Sequence, residues 1–185
     1  MDVMTSAHRE PASRRLTRAD LAELPDDGLR YEVIDGDLLV SPAPRYRHQR
    51  LSAMLLHLLM SSCPAGLTVL HAPFAVGLAE DTEVQPDLLV APRADFTEVD
   101  LPIAPMLVVE ILSPSTRHVD LEIKRVRYEH AGIASYWIID PDGPSITVLE
   151  LVEGRYVETA VVGAGDTWHA THPFPVTIRP GDLID

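Results

Sequence analysis

MLVVEILSPST, residues 106–116, sets one acid inside a β-branched apolar run. Met106 to Val109, then Ile111 and Leu112, have the near-continuous hydrophobicity of a strand covered on both faces of a sheet, and Ser113-Pro114 ends it. Glu110 interrupts that run. A buried, unpaired carboxylate has a penalty of several kcal/mol, against a whole-domain stability of only about 5–15 kcal/mol. Glu110 is therefore protonated, paired with a cation, bound to a metal, or close to the exposed end of the sheet. The strand stops soon after it, and open α/β sheets gather ligands at the carboxyl ends of their strands.

Upstream of this strand, Pro86-Asp87-Leu88-Leu89-Val90 opens another, since a proline is tolerated at a strand's first position. LTVLHAPFAVGLAED, from Leu67, reads as extended, with a turn at Glu80-Asp81. Residues 46–62 read as a helix: His48, Leu51, Leu55, Leu58 and Leu59 recur on one face, and Cys63-Pro64-Ala65-Gly66 stops it. YEVIDGDLLV, residues 31–40, is a hairpin closed by the two-residue turn Asp35-Gly36. Thr17-Arg18-Ala19-Asp20 has the form of a capping box on a short helix that ends at Pro25.

Downstream, residues 119–131 read as a helix with Gly132 as its C-cap, followed by the strand Tyr136–Ile139. ITVLELV and RYVETAVV form a hairpin about Glu153-Gly154, and PVTI adds an edge strand. Residues 91–105 read as a loop rich in Pro and Asp. The fold class expected is α/β (α+β): a central mixed β-sheet flanked by helices, with an N-terminal β-hairpin and a C-terminal β extension. A polar, loose segment spans 1–16 and one domain spans 17–185.

The chain has 185 residues and a net charge of −13, with a pI near 4.9. That charge argues against a general nucleic-acid coat, which wants a basic face, but leaves room for a local basic patch. A single cysteine, Cys63, excludes an intramolecular disulfide framework and a cysteine-rich zinc site. Cys63 itself, beside a helix-ending proline, reads as inert. The first twenty residues hold no apolar h-region, and no apolar stretch approaches ~20 residues. A soluble protein of a reducing compartment, the cytoplasm, is expected.

Asp87 and Glu110 meet near one edge of the core if their strands are neighbours. Two close carboxylates repel unless a cation intervenes. Mg²⁺ or Mn²⁺ resolves this, taking one or two carboxylates while keeping waters and accepting phosphate oxygens. Lys124 is the only lysine among fifteen basic residues. It shares a helix face with Leu121, Tyr128 and Ala131, so it points inward toward the strand of Glu110. Two carboxylates and an ammonium suit metal-assisted phosphodiester hydrolysis.

These residues resemble a known pattern. Pro86-Asp87 followed by Glu110-Ile111-Leu112 resembles the P-D…(D/E)-x-K motif of restriction-endonuclease-like nucleases. YEVIDGDLLV, His48, VQPDLLV, LVVEILSPST and DLEIKRVRYEHAGIASYWIIDP together resemble the Uma2 family of endonucleases, over roughly residues 17–184. The resemblance implies a restriction-endonuclease-like core and a divalent metal. It makes Asp87 and Glu110 metal ligands, with the Ile111 carbonyl as a third. The motif lysine position holds Leu112 here, and Lys124 takes the lysine's place from the helix. Glu32 matches the family's N-terminal Tyr-Glu and is assigned to the metal or its water.

Each of these residues also has a plainer reading. Glu110 is a strand-end acid in an ion pair, Asp87 a turn residue, and Lys124 a side chain snorkelling over the core edge. Glu32 shares a hairpin face with Ile34, Asp37 and Leu39, the wetter of the two faces. His48 reads as a satisfied core or edge histidine, and Tyr128 and Trp137 as core. Arg45, Arg47 and Arg50 at the first long helix, and Arg117, Arg125 and Arg127 at the second, form either a phosphate-binding rim or a solvated surface. The function expected is DNA cleavage by a metal-dependent endonuclease, as a homodimer. The alternative is a catalytically silent nuclease fold that binds or scaffolds.

Overall fold

The computed structural model describes residues 15–25 and 27–184. Most of the loose segment expected over 1–16 lies outside these; Leu16 is within them, and its N–H donates to the Gly36 carbonyl at 2.9 Å.

The strand β8 (Leu107–Ile111) is buried at all five positions, as its continuous apolar run requires. It lies inside a six-stranded sheet in the order β11-β10-β9-β8-β6-β3. The other members are β3 (Leu67–His71), β6 (Leu88–Pro92), β9 (Ser135–Asp140), β10 (Ser145–Val152) and β11 (Arg155–Gly163). β8 runs parallel to β9 and antiparallel to β6. The parallel pair needs a crossover, and the chain between them is the helix carrying Lys124.

A second sheet has the order β2-β1-β5-β4-β7. It comprises β1 (Arg30–Ile34), β2 (Asp37–Ser41), β4 (Ala75–Ala79), β5 (Thr82–Val84) and β7 (Asp100–Leu101). Its hairpin closes as the sequence requires: Asp35 and Gly36 have φ of 55° and 77°, the left-handed pair of a type I′ turn. The six-stranded sheet is the central mixed sheet expected, and the N-terminal hairpin, rather than standing alone, belongs to this second sheet of five strands. The loop expected over 91–105 is interrupted: β6 extends to Pro92, and Asp100–Leu101 pairs in parallel with β4.

Two apolar clusters cover the two faces of the six-stranded sheet. On one face lies α2 (Tyr46–Ser62), whose Leu51, Leu55 and Leu59 are at most 1% exposed. Their i, i+4 spacing stacks them in one stripe, and each buried leucine contributes about 1.5–3 kcal/mol of burial. A ribbon of β12 (Trp168–Ala170) and β13 (Val176–Ile178) packs there as well. PVTI thus forms half of a separate two-stranded ribbon rather than an edge strand of the main sheet. On the other face, Val108 and Leu112 pack against Val76 and Val84 of the second sheet and against Val119 and Tyr128 of the crossover helix.

That helix is not regular. Val119–Lys124 is π-helical and Arg125–His130 (α3) is α-helical; α1 is the short turn Arg18–Leu21, capped by the Asp20 carboxylate on the Thr17 N–H at 2.7 Å. Gly132 follows α3 with φ of 78°, the C-cap its position predicted. The π-helical turn buries Asp120 beside Val119 and Lys124. The Tyr136 hydroxyl donates to the Asp120 carbonyl at 2.9 Å, fixing the turn to β9.

Candidate active site

The register of β6 on β8 pairs Leu88 with Val109. One step further, Asp87 faces Glu110, so the neighbouring strands bring the two motif acids to one edge. Asp87 accepts the Ile111 N–H through Oδ2 at 2.8 Å. The same oxygen meets His48 Nε2 at 3.0 Å. Oδ1 pairs with Arg30 Nη1 at 3.3 Å. Burial alone raises the Asp87 pKa, but His48, Arg30 and the Ile111 N–H outweigh it and hold the carboxyl below its ordinary value.

Lys124 stands at the centre of the acids. Its Nζ lies 3.0 Å from Glu110 Oε1, 3.0 Å from Glu32 Oε1 and 3.7 Å from Asp120 Oδ1. Burial lowers an ammonium's pKa, but Glu110, Glu32 and Asp120 together reverse that and raise it, so Lys124 stays charged. Tyr128, read from the sequence as core alone, donates its hydroxyl to Glu110 Oε1 at 2.6 Å. It belongs to both the core and the site.

Glu32 and Glu110 are equally buried, at 0% and 1% exposure, yet titrate in opposite directions. Burial raises the pKa of each. For Glu32 it is overcome by Lys124, by Arg30 at 3.6 Å and by the Gln85 N–H at 2.8 Å, and the pKa falls. Glu110 has Lys124 as its one close cation and feels Asp120, Asp87 and Glu32, and its pKa is pushed up to about 8. Burial likewise raises Asp120. The wetter-face reading of Glu32 is therefore wrong. β1 is covered on both sides, and Glu32 is drawn inward by two cations.

Glu32, Asp87, Glu110 and Lys124 converge as the sequence predicts, and His48 joins them through Asp87 rather than lying satisfied in the core. Arg30 and Asp120 escaped the sequence analysis. Both carry a periodic signal: Arg30 is two residues before Glu32 on one strand face, and Asp120 is four before Lys124 on one helix face. Leu112, at the motif lysine position, is 4% exposed in the apolar cluster and gives the groove lining an apolar side chain in place of the motif's ammonium.

Of the four acids, Asp87 lines a groove of about 1840 Å³, together with Arg30, His48 and Gln85, while Glu32, Glu110, Asp120 and Lys124 are at most 2% exposed and lie outside its lining. Of the six expected rim arginines, Arg45 and Arg47 line this groove. Arg117 instead pairs with Asp140 at 2.9 Å, and Arg127 pairs with Asp35.

The donor set suits a hard dication. Glu32, Asp87, Glu110 and Asp120 supply four carboxylates against two permanent cations, Arg30 and Lys124, an excess of two negative charges when all ionise. Glu32 Oε2 and Asp120 Oδ1 are buried without a hydrogen-bond partner. Among the described residues no three acidic, histidine or cysteine side chains form a ready-made cage. An ion of the Mg²⁺ type needs only one or two carboxylates and keeps its waters.

A sequence model of the Uma2 family, described as "Putative restriction endonuclease", matches residues 18–181. Among solved structures, the fold is similar to "a putative nuclease belonging to DUF820 from Anabaena variabilis ATCC 29413", with a TM-score of 0.72 and 21% identity. The alignment covers 91% of this chain and 97% of that one. No curated protein is detectably similar to the chain. Among the described residues, no helix is long and apolar enough to cross a membrane.

Proposed function

The chain belongs to the Uma2 family, and from that premise we propose that it is a metal-dependent phosphodiesterase acting on nucleic acid, a DNA endonuclease. The observation that carries this reading is the charge balance of the pocket. Four buried carboxylates face two permanent cations, and either protons or a dication make up the difference. The groove supports a polymeric substrate: its 1840 Å³ exceeds the about 300–1,000 Å³ of small-ligand pockets.

In this reading Asp87 and Glu110 hold Mg²⁺ or Mn²⁺, with the Ile111 carbonyl as a third ligand. A bound dication polarises a phosphoryl oxygen and lowers the pKa of an adjacent water. Both hydrogen bonds to Glu110 fall on Oε1, which leaves Oε2 to the ion. Lys124 fixes Glu110 and Glu32 at equal distance and sets an ammonium where charge builds on the phosphoryl group. Glu32, ionised and anchored by the Gln85 N–H, is the acceptor for a proton from the attacking water. Arg30 and His48 hold Asp87 in place.

One observation favours a second reading, a catalytically silent binding module: both Asp87 oxygens already have partners. Nicking of supercoiled plasmid in Mn²⁺ separates the two. The nuclease reading expects EDTA-sensitive nicking that falls at least about 100-fold in Glu110→Gln, the size of a lost charge-stabilising group. Nicking unchanged in Glu110→Gln and in Lys124→Ala overturns it.

A further inference from the structure

We propose that the N-terminus of α2, with Ser41 and Arg45, is a phosphate-binding subsite that anchors a phosphodiester of the substrate strand in the groove beside the acid pocket. The identity of the strand rests on the nuclease reading; the anion site does not.

α2 is 17 residues long, and the Gln49 N–H to the Arg45 carbonyl, at 3.0 Å, is its first helical bond. The amides of Tyr46, Arg47 and His48 therefore precede the first acceptor the helix offers. The N-cap residue, Arg45, makes no side-chain cap, and the first turn holds no acid. Helices ordinarily place Ser, Thr, Asp or Asn at this position and acids just after it. Here the positive end of the dipole carries two more cations, Arg45 and Arg47, an arrangement that favours an anion between them.

An independent observation points to the same ligand. Ser41 is 3% exposed, lines the groove, and its Oγ has no hydrogen-bond partner. A buried hydroxyl left unpaired is destabilising, and a phosphate oxygen accepting from it would relieve that penalty. Ser41, Pro44, Arg45, Arg47 and His48 all line the groove, and Ser41 precedes the N-cap residue by four positions. His48 links the helix N-terminus to the acids: its Nε2 is 3.0 Å from Asp87, and its Nδ1 is a second buried atom without a partner. Arg47 meets Asp142 at 3.5 Å, a pair half exposed on one side and three-quarters exposed on the other, so water screens it and a phosphate competes for the guanidinium.

The test uses the full chain in EDTA, so that no cleavage intervenes. Inorganic phosphate is titrated at constant ionic strength while backbone amides are followed by NMR, and binding of a short oligo-dT strand is followed by anisotropy. Saturable shifts at Tyr46, Arg47 and His48 are expected with phosphate and not with chloride. Arg45→Asp supplies the missing cap, so it is expected to raise Tm while weakening oligo-dT binding at least about tenfold, the size of one charge-assisted hydrogen bond. Ser41→Ala is expected to weaken binding in the same sense. Arg125→Asp, the same charge change outside the groove, is expected to leave binding within twofold. Equal losses in Arg45→Asp and Arg125→Asp, or no saturable shift at these amides, overturn the subsite. If the amides shift but no metal-dependent nicking occurs, the anion site stands and the nuclease reading fails. Nicking with silent amides gives the reverse.

Discussion

Glu110 shows what a single residue does in this pocket. Burial and three neighbouring acids raise its pKa to about 8, so the metal-free protein holds a proton there at neutral pH. Its folded pKa lies above its unfolded value of 4.5. The folded state therefore binds the extra proton between these limits, and the stability Glu110 contributes is present below that window and lost as pH rises through about 8. In EDTA, Tm is expected to fall more steeply from about pH 5 to about pH 8.5 in the wild type than in Glu110→Gln, which cannot ionise. Equal slopes contradict the assignment. The proton and the metal compete for one carboxylate, so Mn²⁺ binding is expected to release about one to two protons at pH 7, read by calorimetry in buffers of different ionisation enthalpy. Lys124 is the other pole of the pocket. Lys124→Met leaves Glu32 and Glu110 without their shared cation and is expected to destabilise the fold by about 3–5 kcal/mol in urea unfolding. A loss below about 1 kcal/mol would mean that the acids do not depend on it.

At the scale of elements, each acid owes its position to a strand register or a helical turn. Glu110 was legible because a lone acid in an apolar run is anomalous, and Asp87 because it opens the neighbouring run. Lys124 was legible as the only lysine on an inward face. Arg30 and Asp120 were not, because the sequence gives no reason to prefer them until Glu32 and Lys124 are known to be buried. The two-residue hairpin and the leucine stripe of α2 could be read from turn chemistry and periodicity. The π-helical turn at Val119–Lys124 could not: its composition suits an α-helix, and contacts from β9, such as the Tyr136 hydroxyl on the Asp120 carbonyl, hold it. A π turn amounts to one extra residue within an α-helix. Deleting the exposed Glu122 is therefore expected to restore α-helical register, rotate Asp120 out of the pocket and weaken Mn²⁺ binding. Unchanged binding in the deletion would show that the π turn does not shape the site.

At the scale of the molecule, a chain of net charge −13 that acts on a polyanion must work against its own field. The groove's answer is local, with Arg45 and Arg47 at a helix N-terminus rather than a basic face. Two phosphate contacts at about 0.7 each give a slope near −1.4 for log K against log salt on a single strand. A slope several times steeper would place binding on another, broader surface. The N-terminal hairpin and a C-terminal β extension were legible, but the grouping of strands into a second sheet was not, because β1 pairs with β5 and β4 with β7 across long stretches of chain, which local periodicity does not encode. Everything chemical in this account depends on a dication entering the acid pocket, and calorimetric titration of Mn²⁺ into the wild type, Asp87→Ala and Glu110→Gln tests that most directly. One saturable site with proton release in the wild type, abolished in both variants, is the predicted result. No heat of binding in the wild type, or equal binding in all three proteins, would contradict it.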